Sequence, residues 1–226
     1  MTPIIHLHHI PTLLTQIPFA QAMLALDESE RASCAKIKAE RRLHEFVYGR
    51  YCLKHALAAH LQCTVTELQL LKHPQGKLHL AGNPTFFNLT HSGEYLAYLI
   101  HDACEVGLDI EHVTKHSTDL IAIAERYFCY AEQMAIKAAQ QQSEDKAKYV
   151  FYKIWTLKEA TLKALGTGLN GGLDQLDTHT ADEGEVHKLV NESVIFYHYP
   201  APLQLNNVFL SAAFLSAAPQ QKPRLR

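Results

Sequence analysis

Tyr152-Lys-Ile-Trp-Thr-Leu-Lys-Glu-Ala-Thr-Leu-Lys163 carries the reading on which the fold turns. It lies in the strongest helical stretch of the chain, Lys148 to Leu165, which Gly166-Thr-Gly168 and Gly171-Gly172 bring to an end. Shifting the chain so that residue 48 falls on residue 152 lays Tyr48-Gly-Arg-Tyr-Cys-Leu-Lys-His-Ala over Tyr152-Lys-Ile-Trp-Thr-Leu-Lys-Glu-Ala. Tyr48/Tyr152, Leu53/Leu157, Lys54/Lys158 and Ala56/Ala160 are then identical. Either these are two ordinary amphipathic helices built from the same favoured residues, or the chain is two related α+β halves packed about a pseudo-twofold axis. Both helices precede a turn and strands, which suits the second reading, and a cleft between halves is then the natural place for a ligand.

Outward from these helices the pattern alternates between the two periods. Asp27 to Leu61 reads as two successive helices, and Thr64-Val-Thr-Glu67 has capping spacing. His73-Pro-Gln-Gly76 reads as the turn of a hairpin. Phe86 to Leu89, Tyr95 to Ile100 and Val106 to Ile110 are short, apolar and partly β-branched or aromatic, as strands are. Ser117 to Gln142 returns to helical composition. Val186 to Val190, Val194 to Tyr199 and Leu205 to Leu215 read as strands, followed by a loose tail.

Composition excludes several classes. With 226 residues, 47% hydrophobic and 19% charged, the chain can bury a real core, so disorder is not its main state. Twenty-one Lys+Arg against 23 Asp+Glu leave no basic excess for nucleic acid or an anionic membrane surface. No apolar run approaches the roughly 18 residues that span a bilayer, and the opening residues lack the pattern of a signal peptide. The five scattered cysteines form no Cys-x-x-Cys pair, which fits a reducing cytoplasm, and the 15 histidines are too dispersed to read as a metal set.

Three elements carry chemistry. In Val106-Gly-Leu-Asp-Ile-Glu111, the period of two puts Asp109 and Glu111 on one face of a strand and Leu108 and Ile110 on the other. Two like charges facing one way repel, which a hard cation such as Mg²⁺ relieves; water at a strand end relieves it too. On the helix, Trp155, Glu159 and Lys163 at i, i+4 and i+8 share one stripe, either as a solvated ion pair beside an aromatic or as a face turned to ligand. Asn88-Leu-Thr-His-Ser-Gly93 reads as a strand ending in a polar turn, able to present several donors to a phosphate. Arg41, Arg42, Arg50 and Lys77 are candidate cations for further phosphates.

These elements occur in a familiar order: Gly76-Lys77, Phe87-Asn-Leu-Thr-His-Ser92, Gly107-Leu-Asp-Ile-Glu111 and Trp155-Thr-Leu-Lys-Glu-Ala-Thr-Leu-Lys163. The sequence resembles the Sfp-type 4′-phosphopantetheinyl transferases from about Arg41 to Gly168. Thr90 stands where a Ser is usual, Leu78 where a Pro is usual, and Glu45 where some relatives carry an Arg. The resemblance implies an α+β fold of two structurally related halves in tandem, residues 1–105 and 106–226, with the active site in the cleft between them.

It also implies a Mg²⁺-dependent holo-[acyl-carrier-protein] synthase, with Mn²⁺ as an alternative ion. Such an enzyme moves phosphopantetheine from coenzyme A onto a serine of an apo acyl- or peptidyl-carrier protein of fatty-acid, polyketide or nonribosomal peptide biosynthesis, and releases 3′,5′-ADP. Asp109, Glu111 and Glu159 would hold the metal. Glu159, Lys163 and Asp109 would be catalytic, and Arg41, Arg42, Arg50, Lys77, Thr90, His91 and Lys163 would bind the coenzyme. A cytoplasmic monomer is expected, with neither nucleic acid nor membrane as partner. A metal-dependent phosphohydrolase and a non-catalytic coenzyme A- or carrier-binding module are the competing readings.

Overall fold

The computed structural model describes residues 3–113, 119–168, 172, 174, 176–178, 186–188, 193–200, 207–215 and 223–226. The described elements run β1 (Ile4–His9), α1 (Ile10–Gln16), α2 (Phe19–Leu24), α3 (Glu28–Cys34), α4 (Glu40–Leu61), β2 (Leu70–Lys72), β3 (Leu78–Leu80), β4 (Phe86–Ser92), β5 (Tyr95–His101) and β6 (Val106–His112). They continue with α5 (Leu120–Tyr127), α6 (Tyr130–Gln140), α7 (Glu144–Leu165), β7 (Val186–Lys188), β8 (Ser193–Pro200), β9 (Val208–Leu215) and β10 (Arg224–Leu225). The class is α+β, as expected. The strands form two four-stranded sheets, in the orders β10-β1-β5-β4 and β6-β9-β8-β7, with β2-β3 as a separate antiparallel hairpin.

Side-chain alternation explains the layering. Along β5, Leu96 and Tyr98 join the core under α4, with Val47, Leu53, Leu57 and Phe87, while Ala97 and Leu99 join a second core. That second core lies between the sheets: Ile5, Ala97 and Leu99 of the first meet Val106, Leu108, Ile110, Leu210 and Phe214 of the second. The opposite face of the second sheet, with Val194, Phe196 and Ala213, packs on Leu157, Ala160 and Ala164 of α7. Each sheet therefore has a 22-residue helix, α4 or α7, on one face and the other sheet on its other face.

Local chemistry sets the ends of these elements. Asp27 caps α3 by accepting from Glu30 N at 2.9 Å, and Glu30 Oε2 accepts from Asp27 N in return, a reciprocal capping box. Gly166 ends α7 at φ 70°, a left-handed conformation that glycine adopts without steric cost. The end of the chain is not the loose tail that its composition suggested. β10 lies parallel to β1, with Leu7 N donating to Arg226 O and Arg226 N to Ile5 O, because β1 would otherwise leave that edge of the sheet unpaired.

Two edge strands meet without a shared backbone ladder. Asn88 Oδ1 of β4 accepts from Leu108 N of β6 at 2.9 Å, and Ser92 Oγ accepts from His112 N at 3.1 Å. Side chains at a period of two thus satisfy the edge of β6 and lock the sheets together. The Asn-to-Ser segment, read from sequence as a strand ending in a polar turn, is strand throughout, and the turn begins only at Gly93, φ 58°. Turn-forming residues bond to nearby backbone groups; here the nearest needy groups belong to the neighbouring strand. Asn88→Ala leaves a buried N–H without an acceptor and lowers unfolding stability by about 1–3 kcal/mol, measurable in urea.

Candidate active site

The sequence positions the acidic residues through a missing side chain. A Cβ placed on Gly107 would lie 1.8 Å from Ala160 O and 2.5 Å from Ala164 N, so only glycine lets β6 lie this close to the backbone of α7. The next residues of that face, Asp109 and Glu111, are thereby set against the Trp155, Glu159 and Lys163 stripe. Lys163 Nζ donates to Asp109 Oδ1 at 2.5 Å and to Thr90 Oγ1 at 3.1 Å. Glu111 accepts from Trp155 Nε1 at 3.3 Å and from Ser92 Oγ at 2.8 Å.

Electrostatics at this point are strained. Burial pushes Asp109 up to about 7, Glu111 and Glu159 add to the rise, and Lys163 opposes it. Burial also raises Glu159, again against Lys163 and with Glu111. Asp109 Oδ2 and Glu159 Oε1 are buried and have no hydrogen-bond partner. Among the described residues, the trio of metal-ligating side chains drawn within 4.8 Å of one another is Cys129, Glu132 and Asp177, so Asp109, Glu111 and Glu159 form a looser group. Two unpartnered buried carboxylate oxygens beside a third carboxylate nonetheless fit a hard divalent cation.

A cleft of about 790 Å³ opens beside this group, with Glu159, Lys163, Lys77, Arg42, Arg50 and His91 in its wall. Of the other residues expected at the site, Thr90 is buried behind it at 4% exposure. His91, on the opposite face of β4 from Thr90, points to α4, its Nδ1 3.4 Å from Glu45 Oε2; burial lowers its pKa and Glu45 opposes that. Arg41 and Arg42 flank the same carboxylate from within α4. Arg50 is held by Glu30 at 2.8 Å over the Phe46 ring. Lys77 bridges Glu105 at 2.5 Å, Val106 O and Ala164 O, so its ammonium ties the hairpin turn to the end of α7.

Lys158, one residue from Glu159, lies on another face of α7. It is fully buried against Glu132 at 2.7 Å and over the Phe128 ring, a supporting part of the fold. Two acidic residues went unassigned from sequence: Glu45 in the cleft wall and Glu105, which holds the wall residue Lys77. Glu45 stood out only as a departure from a pattern, although helical spacing to Arg41 and Arg42 could have marked it, and Glu105 not at all, since its partner Lys77 is distant in sequence.

The sequence profile of the 4′-phosphopantetheinyl transferase superfamily matches residues 105–209, the stretch that holds β6 and α7. The protein slr0495 of Synechocystis sp. is 31% identical over 169 residues, 74% of this chain and 66% of that relative. The chain belongs to the 4′-phosphopantetheinyl transferase superfamily. Within this superfamily, 4′-phosphopantetheinyl transferase HetI of Nostoc sp. is 29% identical, over 73% of this chain and 70% of the relative. 4′-phosphopantetheinyl transferase Sfp of Bacillus subtilis is 24% identical, over 76% and 75%. This superfamily member thus spans about two thirds of the length of slr0495 and somewhat more of the others. No helix among its described residues is long and apolar enough to cross a membrane.

Proposed function

We propose that the chain transfers 4′-phosphopantetheine from coenzyme A to a serine hydroxyl of an acyl- or peptidyl-carrier protein and releases 3′,5′-ADP. The observation that carries this reading is the convergence of Asp109 and Glu111 on Glu159 and Lys163, which line a cleft large enough for the coenzyme, in a chain of this superfamily. The serine oxygen attacks the phosphorus that bears the pantetheine arm, and the bond from that phosphorus to the bridging oxygen of the pyrophosphate breaks. The demands are charge neutralisation, in-line placement and removal of the hydroxyl proton.

Asp109, Glu111 and Glu159 would hold Mg²⁺, or Mn²⁺ in its place. The ion, when bound, neutralises charge on the pyrophosphate. Glu159 faces the cleft with a raised pKa and takes the serine proton. Lys163 donates to Asp109 and, through its exposed side, to the leaving phosphate. Thr90 holds Lys163 from behind, and Lys77 closes the pantetheine side of the wall. Arg41, Arg42, Arg50 and His91 receive the 3′-phosphate end of the coenzyme. The two sheets, each with its long helix, are the two halves, 1–105 and 106–226, with β10 returning to the first sheet. A cleft complete within one chain suits a cytoplasmic monomer.

Intact mass of an apo carrier domain incubated with the protein, coenzyme A and Mg²⁺ tests this reading. A gain of one phosphopantetheine is expected, and it disappears with EDTA or when the carrier serine is alanine. Release of 3′,5′-ADP with no gain on the carrier would instead favour the phosphohydrolase. Coenzyme binding with neither product would favour the binding module.

A further inference from the structure

The cleft wall has a second acidic side chain, Glu45 of α4, besides Glu159 of α7. It sits within α4 with its side chain only 3% exposed, so it cannot withdraw to water. Its Oε2 has no hydrogen-bond partner. Three basic groups surround it: Arg41 Nε at 3.5 Å, Arg42 Nη1 at 3.8 Å and His91 Nδ1 at 3.4 Å. All three distances exceed those of charge-assisted hydrogen bonds, about 2.7–2.9 Å. The two arginine side chains are 69% and 64% exposed and can turn to a ligand, whereas the carboxylate cannot move away from one.

An anion entering here competes with Glu45 for the same basic groups and leaves a buried carboxylate less compensated. A hydroxyl entering here donates to the unpartnered oxygen and leaves the basic groups in place. We propose that Glu45 sets donor specificity at the 3′ position of the coenzyme, so that 3′-dephospho-coenzyme A serves as phosphopantetheine donor at least as well as coenzyme A. The inference rests on the transferase reading, which brings that end of the coenzyme to Arg41, Arg42 and His91. In functional terms, Glu45 is a specificity residue and takes no part in the phosphoryl step.

The test compares coenzyme A with 3′-dephospho-coenzyme A on the native protein and on Glu45→Gln, by calorimetric binding and by mass gain of an apo carrier. On the native protein the dissociation constant of the dephospho compound is expected to be no more than about threefold above that of coenzyme A. Removing the Glu45 charge tightens coenzyme A by at least about tenfold and does not tighten the dephospho compound. Native binding of coenzyme A much tighter than this, or weaker coenzyme A binding by Glu45→Gln, would overturn the proposal and make Glu45 a support for the basic groups. Binding of both compounds with transfer from neither overturns the transferase reading instead, and the two affinities still decide the role of Glu45.

Discussion

Glu159→Gln and Asp109→Asn each slow phosphopantetheine transfer by at least about a hundredfold, with unfolding temperatures no lower than native. Both substitutions keep shape and remove charge, so loss of rate without loss of fold separates chemistry from packing. Glu159 has a buried oxygen without a partner and a carboxyl raised by burial, which suits a group that must take a proton. Asp109 is lifted to about 7, so the folded state binds its proton more tightly than the unfolded chain does. Ionising it as pH rises through that range therefore costs stability, which asparagine does not incur. Single-turnover transfer to an apo carrier, with thermal melts alongside, reads both effects. Near-native rates in either variant would take that residue out of the mechanism.

Gly107→Ala lowers unfolding stability by about 3 kcal/mol or more and abolishes transfer in whatever fraction stays folded. The added carbon meets backbone, not a side chain that could turn aside: Ala160 O at 1.8 Å and Ala164 N at 2.5 Å. Relief requires α7 to move off β6, which separates Lys163 from Asp109 and Trp155 from Glu111. Gly49 provides the contrast, since a Cβ there meets only the end of the Leu89 side chain at 3.3 Å. Gly49→Ala is the matched control and is expected to cost much less. Urea unfolding of the two variants side by side gives the comparison, and equal losses would show that the β6–α7 contact is not the constraint.

The period-two pattern of Val106 to Glu111 was enough to put Leu108 and Ile110 in a core and both acids on one face, because strand geometry leaves no other choice. Helical spacing likewise aligned Trp155, Glu159 and Lys163, and the order of the four motifs pointed to the superfamily. Local pattern put Asn88 on a strand but could not say that the strand runs on through Thr90 and Ser92. Asn88 and Ser92 find their partners in backbone groups of β6, some twenty residues away in sequence. Nor could it show that Lys77 is tied to Glu105 and Ala164 O, or that Glu45, beside Arg41 and Arg42 on its own helix, meets His91 in the cleft wall. The sequence by itself determined the long helices, the strands of the central sheets and the set of reactive groups, which follow from the spacing of neighbours, but not α1, α2 or β10. Whether Arg50, Lys77 and His91 remain available to a ligand was decided by the tertiary structure, because each meets its carboxylate only when distant segments pack.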